Sequence, residues 1–289
     1  MPLMNTQKIM AHKVYIHDGG GGGDIPANQF QLKKGWGFLE SFKKKFPNSK
    51  IRAIVTSCSK EGARYLKYNP HIDEIKELPW VNPHRPWKDL ASHVTGHIPL
   101  DQAVKKFMPE IKGKGKIPPV YLSPEDKVFV KGIIDAGKYT FIHPFAGTPE
   151  RMAFPLKEYP KLIDRLIDEL GYNVVLIGAT YKQLANQGMK EKIKKEEFEY
   201  QRPGFFNIVN KANMRIGVYL AQYAERWIGT WSCYVWPGFV KKQRMTLLMP
   251  KETYCGAGVR DKNQQIIIRI PKQTKDFSQF IDKTIKHLS

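Results

Sequence analysis

Five consecutive glycines, Gly19 to Gly23, end in a carboxylate, Asp24, shortly after a β-rich run, Val14-Tyr15-Ile16. Ordering glycine costs more backbone entropy than ordering any other residue. Such a run is therefore expected where the chain passes close to another group. Between a first strand and a helix, that group is a phosphate or a sugar near a helix N-terminus. The dinucleotide pattern G-x-G-x-x-G is missed, because Asp24 stands where the third glycine belongs. Asp24 offers a general base instead, able to take a proton from a hydroxyl bound beside the glycines. The same side chain can cap a helix opening around Pro26, and the two roles are compatible. Gly22 and Gly23 would let a sugar donor approach, and His17 and Asp18 are candidate acceptor contacts.

A phosphate group held near such turns needs positive charge or N–H dipoles. The second half of the chain supplies candidates at His143, Gly147, Thr148, Arg151, Gly178, Thr230, Trp231 and Ser232. An arginine fork fits phosphate oxygens, and backbone amides of the 147–148 and 230–232 turns can add to it. Thr230 and Ser232 are equally good helix caps, and a histidine at a strand end is often a packed residue. Other chemistries lack their signatures. There is no G-x-S-x-G elbow, no P-loop, and no pairing among Cys58, Cys233 and Cys255. No carboxylate pair stands at metal-ligand spacing, so the expectation is direct displacement with inversion, without metal or cofactor.

The elements that must hold these residues alternate. Strand patterns at 13–16, 51–55 and 72–78 are separated by helical patterns at 29–46 and 61–68. Proline and aromatic residues thicken from 79 to 124. The alternation restarts with strands at 139–143, 173–178, 205–209, 226–229 and 245–249, and helices at 156–170, 182–195, 214–223 and 277–288. This is the grammar of parallel sheets covered by helices. The expected fold is α/β, with two Rossmann-like domains, 1–130 for the acceptor and 131–289 for the nucleotide sugar, facing a central cleft. The hinge is expected near 118–138, and the terminal helix is expected to return to the first domain.

Lys and Arg number 47 against 27 acidic residues, a formal charge of +20 shared about equally by the two halves. Such a field favours a polyanionic partner, nucleic acid or an anionic lipopolysaccharide surface. Lys43, Lys44 and Lys45 form one dense run, and Trp80, Arg85 and Trp87 interleave aromatic and basic groups that can wedge beside an extruded base. No run reaches the ~18 apolar residues of a membrane span. The first thirteen residues lack the apolar core of a signal peptide, which points to the cytoplasm, a host's if the chain is phage-encoded.

Several segments resemble the family 9 glycosyltransferases of GT-B fold, which include the ADP-heptose:lipopolysaccharide heptosyltransferases. Gly22-Gly23-Asp24 is similar to that family's Gly-Asp motif, and Phe46-Pro47 to the end of its first helix. Tyr68-Asn69-Pro70-His71-Ile72-Asp73-Glu74-Ile75 resembles its Asn-Pro-x-Ile-Asp-x-Ile element, and His143-Pro144-Phe145-Ala146-Gly147 the opening of its nucleotide domain. Phe154-Pro155 and Tyr159 resemble its Trp-Pro-x-x-x-Trp helix start. The family's late Asp-Ser/Thr-Gly-x-x-His block is replaced by Gly229-Thr230-Trp231-Ser232-Cys233-Tyr234, without its Asp or His. The resemblance implies sugar transfer from a nucleotide sugar. The charge favours a hydroxylated base in DNA as acceptor, with a lipopolysaccharide core sugar as the alternative and simple nucleic-acid binding as a third reading.

Overall fold

The computed structural model describes residues 11–20, 33–57, 61–78, 90–111, 116–145, 152–178, 198–252 and 264–289. The chain divides into two compact units, Met1–Tyr121 and Leu122–Ser289. The division falls within the stretch 118–138 where a hinge is expected, and that stretch also carries a helix, α5 (Pro124–Asp135). Ser123 and Asp126 explain why it starts there. The Ser123 hydroxyl accepts from the Asp126 amide at 3.0 Å, and the Asp126 carboxylate accepts from the Ser123 amide at 3.1 Å. This reciprocal cap encloses Pro124, whose missing N–H costs nothing in a first turn.

The first unit holds four parallel strands, β1 (Lys13–Gly20), β2 (Lys50–Ser57), β3 (Glu74–Leu78) and β4 (Ile98–Pro99), in the order β3-β2-β1-β4. A 3-10 segment, Lys33–Phe38, runs into α1 (Leu39–Lys45). The tight winding has a local cause: Gly35 has φ +86°, and a Cβ there would stand 3.0 Å from the backbone nitrogen of Asp101. Asp101 belongs to α4 (Leu100–Phe107), an amphipathic helix that buries Leu100, Ala103 and Val104. Shorter helices, α2 (Glu61–Leu66) and α3 (Leu90–Val94), complete the unit.

The second unit holds β5 (Tyr139–His143), β6 (Asn173–Leu176), β7 (Phe205–Asn207), β8 (Arg226–Gly229), β9 (Arg244–Pro250) and β10 (Gln265–Ile270). All pair in parallel, in the order β10-β9-β8-β5-β6-β7. Relabelled by sequence this is 3-2-1-4-5-6 read from β7, the dinucleotide-domain order. Its helices are α6 (Tyr159–Leu170), α7 (Met214–Tyr223), α8 (Val235–Lys241) and α9 (Ser278–Leu288).

Alternation along the strands sorts the core into two layers. Ile142, Val174, Leu176, Ile228 and Leu248 pack with Leu162 and Leu166 of α6 and Ile281 and Ile285 of α9. Phe141, Val175, Trp227, Met245 and Leu247 pack on the other layer with α5, α7 and α8. The terminal helix α9 thus buries its apolar stripe in the second unit's own core. A helix with Phe280, Ile281, Ile285 and Leu288 on one face is satisfied by the nearest open sheet face, here that of β9 and β10. No helix among the described residues is long and apolar enough to cross a membrane.

Candidate functional site

In an open parallel sheet, ligands bind beyond the carboxyl ends of the strands, where neighbouring connections leave in opposite directions. In the second unit that point lies between β5 and β8, which end at His143 and Gly229. These two residues pair in register, and the Thr230 amide donates to the His143 carbonyl at 3.1 Å. The approach is possible only because residue 229 is glycine. A Cβ there would stand 2.1 Å from the His143 carbonyl oxygen.

The neighbouring turn is built the same way. Phe145 lies across Gly178, where a Cβ would stand 2.0 Å from the ring. Gly178 therefore lets the Phe145 ring pack against its backbone. Tyr234 is seated on Gly217 of α7, whose Cβ would stand 2.6 Å from its ring, and meets the His143 imidazole edge-on with centroids 4.7 Å apart. Phe145, Gly217 and Tyr234 escape a reading of the sequence. Their partners lie tens of residues away, and the only local signal is an aromatic residue beside a glycine-bearing turn.

His143 is buried, and its Nδ1 has no partner among the described residues. Burial pushes its pKa down to about 3, because a charged imidazole here would lose its hydration without gaining an anion. It is a neutral wall of the crevice. Thr230 is buried too, and its hydroxyl donates to the Met249 sulfur at 3.5 Å, so it points into the core. Its amide is spent on His143. The Ser232 hydroxyl accepts from the Tyr234 amide at 3.3 Å, a local turn contact. What the 230–232 turn leaves open are the amides of Trp231 and Ser232, which find no acceptor among the described residues. Trp231 itself packs against Trp236 and Phe239. Gly147, Thr148 and Arg151 lie outside the described residues. A cavity of about 750 Å³ opens beside the first turn of α6, lined by Met152, Phe154, Lys157, Phe198 and Tyr200.

In the first unit, β1 does not end at Ile16 as expected. His17, Asp18, Gly19 and Gly20 continue the strand and pair with Ile54, Val55, Thr56 and Ser57. The first two glycines are therefore strand residues, not turn residues. On the other side, β4 pairs with Val14 and Tyr15. Gly22, Gly23 and Asp24 lie outside the described residues, as do Trp80, Arg85 and Trp87.

The lysine run is less available than its sequence implies. Lys43 donates to the Ser49 carbonyl and to Asp73, both at 2.7 Å, and Lys45 pairs with Glu110 at 2.5 Å. Only Lys44 of the three is left without a partner among the described residues. Among the described residues no three His, Cys, Asp or Glu side chains gather as a metal site would.

Two solved structures share this arrangement over nearly the whole chain. Heptosyltransferase II of E. coli, described as an ADP-heptose lps heptosyltransferase, matches at 12% identity over 96% of this chain and 98% of its own, with a TM-score of 0.54. The fold is GT-B. A family 9 glycosyl transferase from Veillonella parvula DSM 2008 matches at 14% identity over 97% of this chain and 90% of its own, with a TM-score of 0.57. No protein-family model and no curated protein sequence matches. At these identities the likeness is one of GT-B architecture, and each residue's role must be argued from its own surroundings.

Proposed function

We propose that this protein transfers a sugar from a nucleoside-diphosphate sugar to a hydroxyl acceptor. The observation that carries the reading is the pair of unpartnered amides, Trp231 and Ser232, beyond the end of β8 at the switch point of a dinucleotide-type sheet. Such N–H groups stabilise charge that develops on a departing diphosphate. Arg151 is the side chain assigned to the same anion. In the transfer, the acceptor oxygen forms a bond to the anomeric carbon and the bond from that carbon to phosphate oxygen breaks. The nucleoside diphosphate leaves with the electron pair, and Asp24 takes the acceptor proton. Back-side attack inverts the anomeric centre.

The acceptor we favour is an anionic saccharide of the lipopolysaccharide-core kind, the substrate class named for the E. coli relative in fold. A charge of +20 suits a phosphorylated glycolipid surface. The same charge supports a second reading, a hydroxylated base in duplex DNA. The pairing of Lys43 and Lys45 within the protein removes part of the grip that reading relied on. The test incubates the full chain with ADP-, UDP-, GDP- and CDP-sugars and two acceptors, truncated lipopolysaccharide and hydroxymethylated DNA, and reads products by mass. A sugar increment on the lipopolysaccharide, lost by two to four orders of magnitude in Asp24→Asn, is the expected result. An increment on DNA alone moves the acceptor to DNA. No increment with any pair overturns sugar transfer.

A further inference from the structure

Because every strand of the second unit runs the same way, the strand starts share one edge, opposite the crevice at His143 and Gly229. At that edge lies a cavity of about 490 Å³, within the range of small-ligand sites. Its wall carries Arg226, Lys241, Lys242 and Arg244, opposed by one acid, Glu225. None of the four cations has a carboxylate partner among the described residues.

The usual reason for cations at this edge is the negative end of helices, and here that need is already met. The carbonyls that end α7 are taken by one side chain, the Gln243 amide, which donates to Ala221, Gln222 and Ala224 at 3.1, 3.2 and 2.6 Å. Those of α8 are taken by the backbone amides of Lys242 and Gln243. Arg226 and Arg244 each spend one N–H on the Leu288 carbonyl and keep the rest of the fork. The Arg226 guanidinium is held flat on the Tyr172 ring at 3.9 Å, which fixes its direction at little further entropy cost. The Lys241 ammonium lies 4.5 Å from the half-exposed Tyr223 ring.

We infer that this cavity is a second ligand site, distinct from the switch point at β5 and β8, and that it takes a small phosphate-bearing anion, whose oxygens are met by the four cations. The site is separate from the transfer reading and stands or falls without it.

The probe is glucose 1-phosphate, titrated into the full chain by calorimetry, with inorganic phosphate and methyl glucoside as controls. The variant is Lys241→Gln with Lys242→Gly. Lys242 has φ +56°, a conformation glycine adopts freely, so the backbone is kept. Circular dichroism and melting verify that the variant folds, and Lys241→Gln alone serves if it does not. Glucose 1-phosphate and inorganic phosphate should both bind, methyl glucoside should not, and the variant should weaken phosphate binding at least tenfold. No binding of either phosphate, equal binding by the folded variant, or equal binding of methyl glucoside overturns the site.

Discussion

The carbonyl oxygen of His143 stands 2.1 Å from where a side chain on Gly229 would begin. Two strand ends are thereby drawn together at the switch point, and the loops leaving them are set at a fixed separation. Gly229→Ala must push backbone against backbone. We expect it to cost about 3 kcal/mol or more, in the range of the severe single substitutions. Gly132→Ala, in α5 with open space around it, should instead stabilise by up to about 1 kcal/mol. Urea denaturation of the two variants checks both signs.

Asp126 joins two helices of the second unit. Its Oδ2 accepts from Arg215 Nε at 2.5 Å, and its Oδ1 accepts from the side chain of Asn213, the cap of α7, at 2.8 Å. Burial by itself would raise its pKa, but the bonds from Arg215, Asn213 and the Ser123 amide outweigh that and hold it below the ordinary value. A carboxylate lowered in the folded state stabilises above the unfolded pKa, near 3.8, and loses that contribution as pH falls through the folded value. Asp126→Asn should cost about 3 kcal/mol at pH 7, since the buried ion pair with Arg215 loses its carboxylate. The difference between variant and parent should narrow below pH 4, measured by denaturant unfolding across pH.

His143 is held neutral by burial, with a pKa pushed down to about 3. Its unfolded pKa is near 6.5, so the folded state loses stability as pH falls from there toward 3. Its ring nitrogens should show no titration between pH 5 and 8 in nitrogen-detected NMR. A resonance of His143 that titrates near 6.5 would contradict the buried placement. The pH dependence of any activity should accordingly carry no limb from this residue.

Adjacent lysines should behave differently. Lys43→Gln breaks contacts to Ser49 and Asp73 and should lower stability by about 1 kcal/mol, a value discounted for partial exposure. Lys44→Gln should leave unfolding unchanged while shifting elution from heparin to lower salt. If Lys44→Gln and Lys43→Gln shift heparin elution equally with no change in stability, Lys43 is not tied down as described.

The sequence by itself determined the alternation of strands and helices, because burial on both faces demands near-continuous apolar runs such as Tyr139–His143 and Asn173–Leu176. It also determined that residues 143 and 229 end strands, since a polar residue or glycine breaks each run, whereas the strand expected to run to Gly178 ends at Leu176. It left α3, β4, α4, α5, α8 and β10 unseen. α8 has Pro237 and Gly238 inside it, which by local preference break helices, yet Met245 packs against Gly238 and holds the turn in place. β1 read short for the same reason: glycine is a poor strand former alone, and only pairing with β2 through Ser57 extends the strand to Gly20.

Tertiary structure alone decided which candidate groups remain available. A run of three lysines looks like one patch, but Asp73 and Glu110 are brought to Lys43 and Lys45 from 30 and 65 residues away. Thr230 reads as a phosphate ligand until Met249, on the neighbouring strand, takes its hydroxyl. The basic cavity at the strand starts gathers Tyr172, Arg226 and Arg244 from three separate segments, so no local pattern marks it. The physical reason is common to all three. Periodicity reports which side of an element is apolar, whereas the partner of a polar group is fixed by strand order, which local sequence does not encode.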